Sequence, residues 1–271
     1  MITDNSNKTF LTIGNRPIRH DGVDKVTGKA KYGSDVEFTG MLYGKILRSP
    51  YAHAVIENID YSEAIKHPEF KALVSHQDLL ISGVNHNPNK KNGDAFLKPS
   101  TDSYTEVNSK LLDENVLATN KVFYVGHPIL AVASSNSHNA QEILDLIKIK
   151  YNVLQPVTNI EESLDPNSPK LHNGFIPPVN FNGKISSQNI TNQMQLNLGD
   201  FSSAIKNCDN VFSDTYLTST VHQGYIEPQS ATAIWNNDDK LTIWCSSQGH
   251  FGIREQVSKI LNLPISSFSS L

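Results

Sequence analysis

Cysteine is nearly missing from this chain. The two present, Cys208 and Cys245, have no second cysteine or histidine at a metal-ligand spacing. An iron–sulfur cluster needs several thiolates, so this chain cannot hold one alone. In a reducing compartment the two are expected to be small buried hydrophobes. A basic excess is also missing: 23 Lys and Arg face 27 Asp and Glu, a formal net charge of -4. Neither nucleic acid nor an anionic membrane surface is an expected partner. No apolar run is long enough to span a bilayer. Met1 to Thr9 is polar, without an apolar core or twin arginines, so the expectation is a cytoplasmic chain with no secretory signal. There is no GxxxxGK phosphate loop, no GxGxxG after a strand, no GxSxG elbow and no HExxH helix. Most common enzyme classes therefore have no local support.

What is present suffices for a packed core. Of 271 residues 38% are hydrophobic and 18% charged, which fits one large domain or two ordinary ones. No repeat of solenoid period occurs. The pattern predicts a loop entering a short strand over Asp24 to Tyr32. Strands are predicted over Met41 to Arg48, Ala54 to Ile59 and Lys71 to Val74, with a short helix from Tyr61 to Lys66. Asn85 to Thr101, rich in Asn, Lys, Pro and Gly, reads as an exposed loop. Strands resume at Lys121 to Tyr124 and Ile129 to Ala133. Ser137 is the predicted N-cap of a helix whose Ala140, Ile143, Leu144 and Ile147 recur at helical spacing, and Ile149 to Val153 closes the pattern as a strand. The order predicts an α+β fold, a mixed α/β first domain over residues 18–164.

Residues 165–196 carry prolines and many Asn and Ser without periodicity, and are expected to be an extended linker. A second unit is expected over 197–271. It should hold a short helix from Phe201 to Lys206, a strand from Val211 to Val221, and a hairpin of Ala231 to Trp235 and Leu241 to Ser246 about Asn236-Asn237-Asp238-Asp239. A helix from Phe251 to Leu261 then turns Ile253, Val257, Ile260 and Leu261 to one face. The tail from Ser266 is expected to lack a β-prone run, and the unit reads as the opening of a larger domain.

Ser246-Ser247-Gln248-Gly249-His250-Phe251 is the most informative local feature. A strand running through a glycine into a helix presents free amides at the positive end of a helix dipole, which favours an anion or an electron-rich heterocycle. Gln248 adds a neutral side chain with one acceptor and two donors. Taken by themselves, these residues read more readily as a tight connection with a solvated glutamine. His222 and Glu227, in His222 to Gln229, could in principle share a metal, but read more simply as an inter-strand turn. His53 and His127 read as hydrogen-bonded structural residues.

Three blocks carry a resemblance. Asp24 to Tyr32 with Gly40 to Ala54, and Val125 to Ala133 with the helix after it, resemble the "hammerhead" domain of the molybdenum hydroxylases. Gly199-Asp200, His222 to Pro228 and Ser247 to Arg254 resemble the start of the molybdopterin-binding domain in the same enzymes. The chain is thus similar to the N-terminal part of the large subunit of the xanthine dehydrogenase and aldehyde oxidase family, closest in aspect to bacterial aerobic carbon monoxide dehydrogenase-like subunits. The resemblance implies an oxidoreductase that hydroxylates with water as oxygen source. It implies molybdenum held by a pyranopterin cytosine dinucleotide, with iron–sulfur clusters and FAD on partner subunits, in a dimer of heterotrimers. It further implies that Gln248 stands beside the molybdenum without being a direct ligand, and that Gly249, His250 and Phe251 bind the cofactor. The family's later glycine-rich loop, substrate-facing loop and base glutamate have no counterpart up to Leu271. The expectation is a truncated molybdopterin-binding domain with no catalytic residue in this chain, inactive alone. The alternative is a non-catalytic subunit-docking or scaffold module of the same descent.

Overall fold

The computed structural model describes residues 13–79, 115–172, 189–190, 196 and 198–269. Two compact units share them. The larger holds 40–79, 115–172 and 198–223 together with 256–263; the smaller holds 13–39, 224–255 and 264–269. The chain-order map with limits at 164 and 196 differs from this division, because residues 13–39 group with the hairpin of the second half.

The larger unit contains strands β1 (Tyr43–Arg48), β2 (Ala54–Asp60), β3 (Phe70–Ser75), β4 (Lys121–Val122), β5 (Pro128–Ser134) and β6 (Lys148–Val153). They form two antiparallel three-stranded sheets, ordered β1-β5-β3 and β4-β2-β6. Helix α2 (Ser137–Asp145) follows β5 and precedes β6, so the predicted strand–helix–strand links the two sheets rather than adding two strands to one. Successive strand side chains face opposite ways, and β5 uses both faces. Leu130 and Val132 join Ala64, Ala140, Ile143, Leu144 and Ile147 in one cluster, while Ile129 joins Ala54, Ala118 and Val122 in another. Ala140, Ile143, Leu144 and Ile147 are the helical face expected from spacing, and all four are buried. Burying a side chain of this kind contributes roughly 1.5–3 kcal/mol, so α2 is held by packing more than by propensity.

Two sequence-distant blocks meet in this unit. Ser49 N donates to His127 O at 2.9 Å, Gly126 N donates to Ser49 O at 2.8 Å, and the Arg48 guanidinium donates to Gly126 O at 2.9 Å. Gly126 has φ 89°, which an L side chain rarely adopts, so the glycine permits the turn.

The smaller unit is a hairpin of β7 (Ala231–Trp235) and β8 (Leu241–Cys245), with β9 (Phe268–Ser269) parallel to β8. Its turn closes through Asn236 N to Lys240 O at 2.7 Å, with Asp239 at φ 58°. Before it come α1 (Gly22–Val26) and a 3₁₀ turn, Gly33–Asp35. The Phe38 and Trp244 rings lie 5.3 Å apart. The remaining helices are α3 (Ile160–Leu164), α4 (Phe201–Lys206) and α5 (His250–Leu261).

Several expectations need correction. Asp24 to Tyr32 enters no strand: α1 occupies its start, since Asp21 accepts from Lys25 at 2.9 Å and Thr27 Oγ1 caps Val23 O at 2.7 Å. The N-cap of α2 is Asn136, not Ser137; its carboxamide accepts from Asn139 N at 2.8 Å. The Tyr61 to Lys66 helix is a single 3₁₀ turn, Ala64–Lys66. The strand from Lys121 ends at Val122, because Phe123 N turns to His127 Nδ1 at 3.2 Å. Val211 to Val221 forms no strand, having no neighbour to pair with among the described residues. Cys208 is exposed rather than buried, with Cys245 half-buried. The tail does carry a β-run, where Phe268 is buried opposite Leu241. The Asn85 to Thr101 loop and most of the 165–196 linker lie outside the described residues.

Candidate functional site

The turn between β8 and α5 is built from its first residue. Ser246 N donates to Ser230 O at 3.2 Å, extending the β7–β8 ladder one step beyond the strand. Its hydroxyl lies 3.1 Å from both Glu227 Oε1 and Pro228 O, and so ties the His222 to Gln229 stretch to the turn. Glu227 therefore anchors the turn. His222 to Gln229 does not join two strands as expected, because Val211 to Val221 forms none.

Gly249 N donates to Ser247 Oγ at 3.3 Å, and Gly249 O accepts from Ile253 N at 3.2 Å, so Gly249 is the N-cap of α5. The amides of His250, Phe251 and Gly252 precede the first intrahelical bond and have no acceptor within the helix. Gln248, Gly249, His250 and Phe251 are all exposed, Phe251 at 64%. A Cβ on Gly249 would meet no atom within 4 Å. Packing inside the described residues does not demand glycine there, and the space in front of the turn is free for an approaching group. The His250 and Phe251 rings sit 4.2 Å apart, and the Arg254 guanidinium lies 5.6 Å from the Phe251 ring centroid. Arg254 adds a full positive charge to the partial one of the helix terminus, with the Glu227 and Glu255 carboxylates as the nearby negative groups in this stretch of sequence. Arg254 and Ser246 lie in stretches singled out from the sequence, but sequence reasoning assigns neither a role. The spacing of Phe251 and Arg254 at i, i+3 on a predicted helix is the signal that could have found the first.

His53 and His127 belong to the larger unit and are both buried. His53 Nδ1 donates to Gln155 O at 2.6 Å, and His127 Nδ1 accepts from Phe123 N. Both rings are thus hydrogen-bonded through Nδ1, while His53 Nε2 is buried without a hydrogen-bond partner among the described residues. Gln248 to Phe251 offer neutral donors, free amides and a positive helix end. That donor set suits a large anionic cofactor bearing oxygen and sulfur acceptors; it offers no ligand to a bare cation.

Two family models match the chain in order: aldehyde oxidase and xanthine dehydrogenase, a/b hammerhead domain, over residues 27–155, and molybdopterin cofactor-binding domain over residues 184–269. A probable xanthine dehydrogenase subunit of Bacillus subtilis is 30% identical over 254 residues, which is 93% of this chain and 29% of that one. The nicotinate dehydrogenase large molybdopterin subunit of Eubacterium barkeri is 29% identical over 257 residues, 95% of this chain and 52% of that one. The structure of reconstituted CO dehydrogenase from Oligotropha carboxidovorans superposes with a TM-score of 0.70 at 24% identity, covering 94% of this chain and 30% of that one. The fold is shared with that enzyme, and the chain spans 29% and 52% of the length of these two curated relatives.

Proposed function

Because this chain belongs to the aldehyde oxidase and xanthine dehydrogenase family of molybdenum hydroxylases, we propose that it supplies the hammerhead region and the first part of the cofactor-binding region of such an enzyme's large subunit. The supporting observation is a coincidence of place. The match to the molybdopterin cofactor-binding domain contains a turn whose residues Gln248 to Phe251 are exposed and whose His250 and Phe251 amides have no acceptor within the helix.

In this reading the cofactor is molybdenum with a pyranopterin cytosine dinucleotide. When bound it supplies the redox centre for hydroxylation with water as the oxygen source. The chain's own residues bind and orient. Gln248 would stand beside the metal without ligating it, its carboxamide offering a donor to an oxygen or sulfur acceptor. The His250 and Phe251 amides would meet anionic or heterocyclic acceptors, Gly249 would allow their close approach, the Phe251 ring would help exclude water, and Arg254 would add positive charge. The roles proposed for these groups include no general base, and the base is proposed to lie in another segment of the subunit. The partners are the remainder of that subunit, an iron–sulfur subunit and an FAD subunit, assembled as a dimer of heterotrimers in the cytoplasm. Among the described residues no helix is long and apolar enough to cross a membrane.

The test is Gln248→Ala in the assembled large subunit. Losing a hydrogen bond made to a polar centre costs on the order of 1–3 kcal/mol, so turnover should fall by roughly ten- to a hundredfold. Wild-type turnover at full molybdenum loading refutes the assignment.

A further inference from the structure

We infer that Gly33 is a positioning residue for the cofactor-binding turn, an inference that rests on the function proposed above. The segment from Tyr32 to Phe38 grips the base of that turn at two points. The first is the 3₁₀ turn Gly33–Asp35, closed on itself by Tyr32 N to Asp35 Oδ2 at 2.9 Å and Asp35 N to Tyr32 O at 2.9 Å. It brings Gly33 against the junction where β7 begins and β8 ends. A Cβ on Gly33 would lie 2.9 Å from Ser230 Oγ, and 3.5 Å from both Ser246 N and Ser246 Oγ. These are the two residues whose bond, Ser246 N to Ser230 O, carries the ladder into the turn. The second grip is Phe38 on Trp244, two residues before Ser246.

Gly33 is set by closeness rather than by its backbone angle. A Cβ there forces Ser230 Oγ to shift and fills the space up to Ser246, so a branched side chain must press on Ser246 as well. Ser246 is also held by Glu227 and Pro228, and displacing it loosens the turn that carries Gln248 and Gly249. Ser230 Oγ is the softer neighbour. It is buried and has no hydrogen-bond partner, so removing it sacrifices no bond and opens the space that an alanine at position 33 would need. The arrangement thus predicts a specific second-site rescue.

The test reads amide hydrogen exchange at Ser246 and Ile253 in the purified chain, the two bonded amides that bracket the turn. Over-packing of this size weakens a local structure enough to speed exchange by about tenfold, and Gly33→Val should do so at both amides while Leu130 and Val132, in the larger unit, stay as in wild type. Gly33→Ala should show a smaller acceleration, and Gly33→Ala with Ser230→Ala should return to wild-type rates. Should Gly33→Val also unfold the hairpin, the Ala variant and its Ser230→Ala rescue decide the point. In the assembled large subunit, turnover per bound molybdenum should fall in Gly33→Val, as it should in Gln248→Ala. Unchanged exchange in Gly33→Val, or acceleration that Ser230→Ala does not relieve in Gly33→Ala, overturns the grip. Accelerated exchange with wild-type turnover in Gly33→Val, where Gln248→Ala loses turnover, overturns the positioning role alone. Wild-type turnover in both variants despite accelerated exchange overturns the site reading itself, and the positioning role with it.

Discussion

His53 sits in a block shared with molybdenum hydroxylases, so replacing it separates a chemical role from a structural one. The side chain is 3% exposed. Its Nδ1 lies 2.6 Å from Gln155 O; since a carbonyl only accepts, Nδ1 carries the proton. Gln155 follows β6 and His53 precedes β2, so the bond ties the ends of two paired strands, beside Leu154 N to His53 O at 2.9 Å. In His53→Ala two losses add. The hydrogen bond is worth about 1 kcal/mol, at the low end because Gln155 is exposed and its carbonyl can recover water. The vacated imidazole leaves a void costing about 1–2 kcal/mol if its walls relax in part. The sum is about 2–3 kcal/mol, which at a urea slope of about 2 kcal/mol/M lowers the midpoint by roughly 1–1.5 M. His53→Asn places an amide nitrogen near the Nδ1 position and should recover about 1 kcal/mol of this. The assay is urea unfolding of the purified chain, followed by turnover per folded large subunit in the assembled enzyme. Stability within about 0.5 kcal/mol of wild type, combined with lost turnover, would show that His53 acts chemically and that the structural argument is wrong.

Three further outcomes follow from the geometry. Asp78 Oδ2 accepts from Ser75 N at 2.8 Å and from Ser75 Oγ at 2.9 Å, and these bonds, the backbone one first, hold its carboxyl below the ordinary carboxylate value. A depressed carboxylate contributes stability above its unfolded pKa and loses it as pH falls through the folded pKa, so Ser75 amide protection should decline on acidification below about pH 4, and Asp78→Asn should flatten that dependence; an unchanged acid profile in the variant contradicts it. Phe212, Tyr216 and Leu217 are 93%, 86% and 88% exposed, so brief chymotrypsin treatment of the purified chain should cut between 211 and 221 before it cuts α2, and first cleavage within Ser137–Asp145 contradicts the structure. Under the proposed function the turn Gln248 to Phe251, exposed in the structure, meets a cofactor that needs enclosure by other segments, so the 271-residue chain alone, made in a host that synthesises the cofactor, should carry far less than one molybdenum by metal analysis; near-stoichiometric metal contradicts this.

The elements legible in the sequence are those fixed by local periodicity. The spacing of Ala140, Ile143 and Leu144 identifies the buried face of α2, with Ile147 buried just past its end, and Asn236 to Asp239 identifies the β7–β8 turn, because in each case the code and the structure lie within a dozen residues. Errors fall where a contact from elsewhere decides. Val211 to Val221 has the composition of a strand, but a strand exists only with a neighbour, and composition does not name one. Phe268 escapes a sequence reading for the converse reason: a two-residue strand has no periodicity, yet Leu241 supplies its partner. Asn136 displaces Ser137 as the cap of α2 because either residue can accept the bond and only the φ of −149° at Asn136 selects between them.

The site divides along the same line. That a helix should start after Gly249, with free amides and an adjacent glutamine, follows from the order Ser246 to Phe251. Its anchoring does not. Ser246 reaches Glu227 across 19 residues, and Gly33 reaches Ser230 and Ser246 across roughly two hundred residues of chain. No spacing rule spans such separations, and a glycine in a loop looks alike whether it is there for a turn or for closeness. By chain order alone, the block from Asp24 to Tyr32 falls in the first domain. Its continuation through Gly33 and Phe38 packs on the hairpin that leads into Gln248. The segment that opens the chain's described part therefore acts on the cofactor-binding half, and substitutions there should be scored by what happens at Ser246 rather than by what happens in β1 to β6.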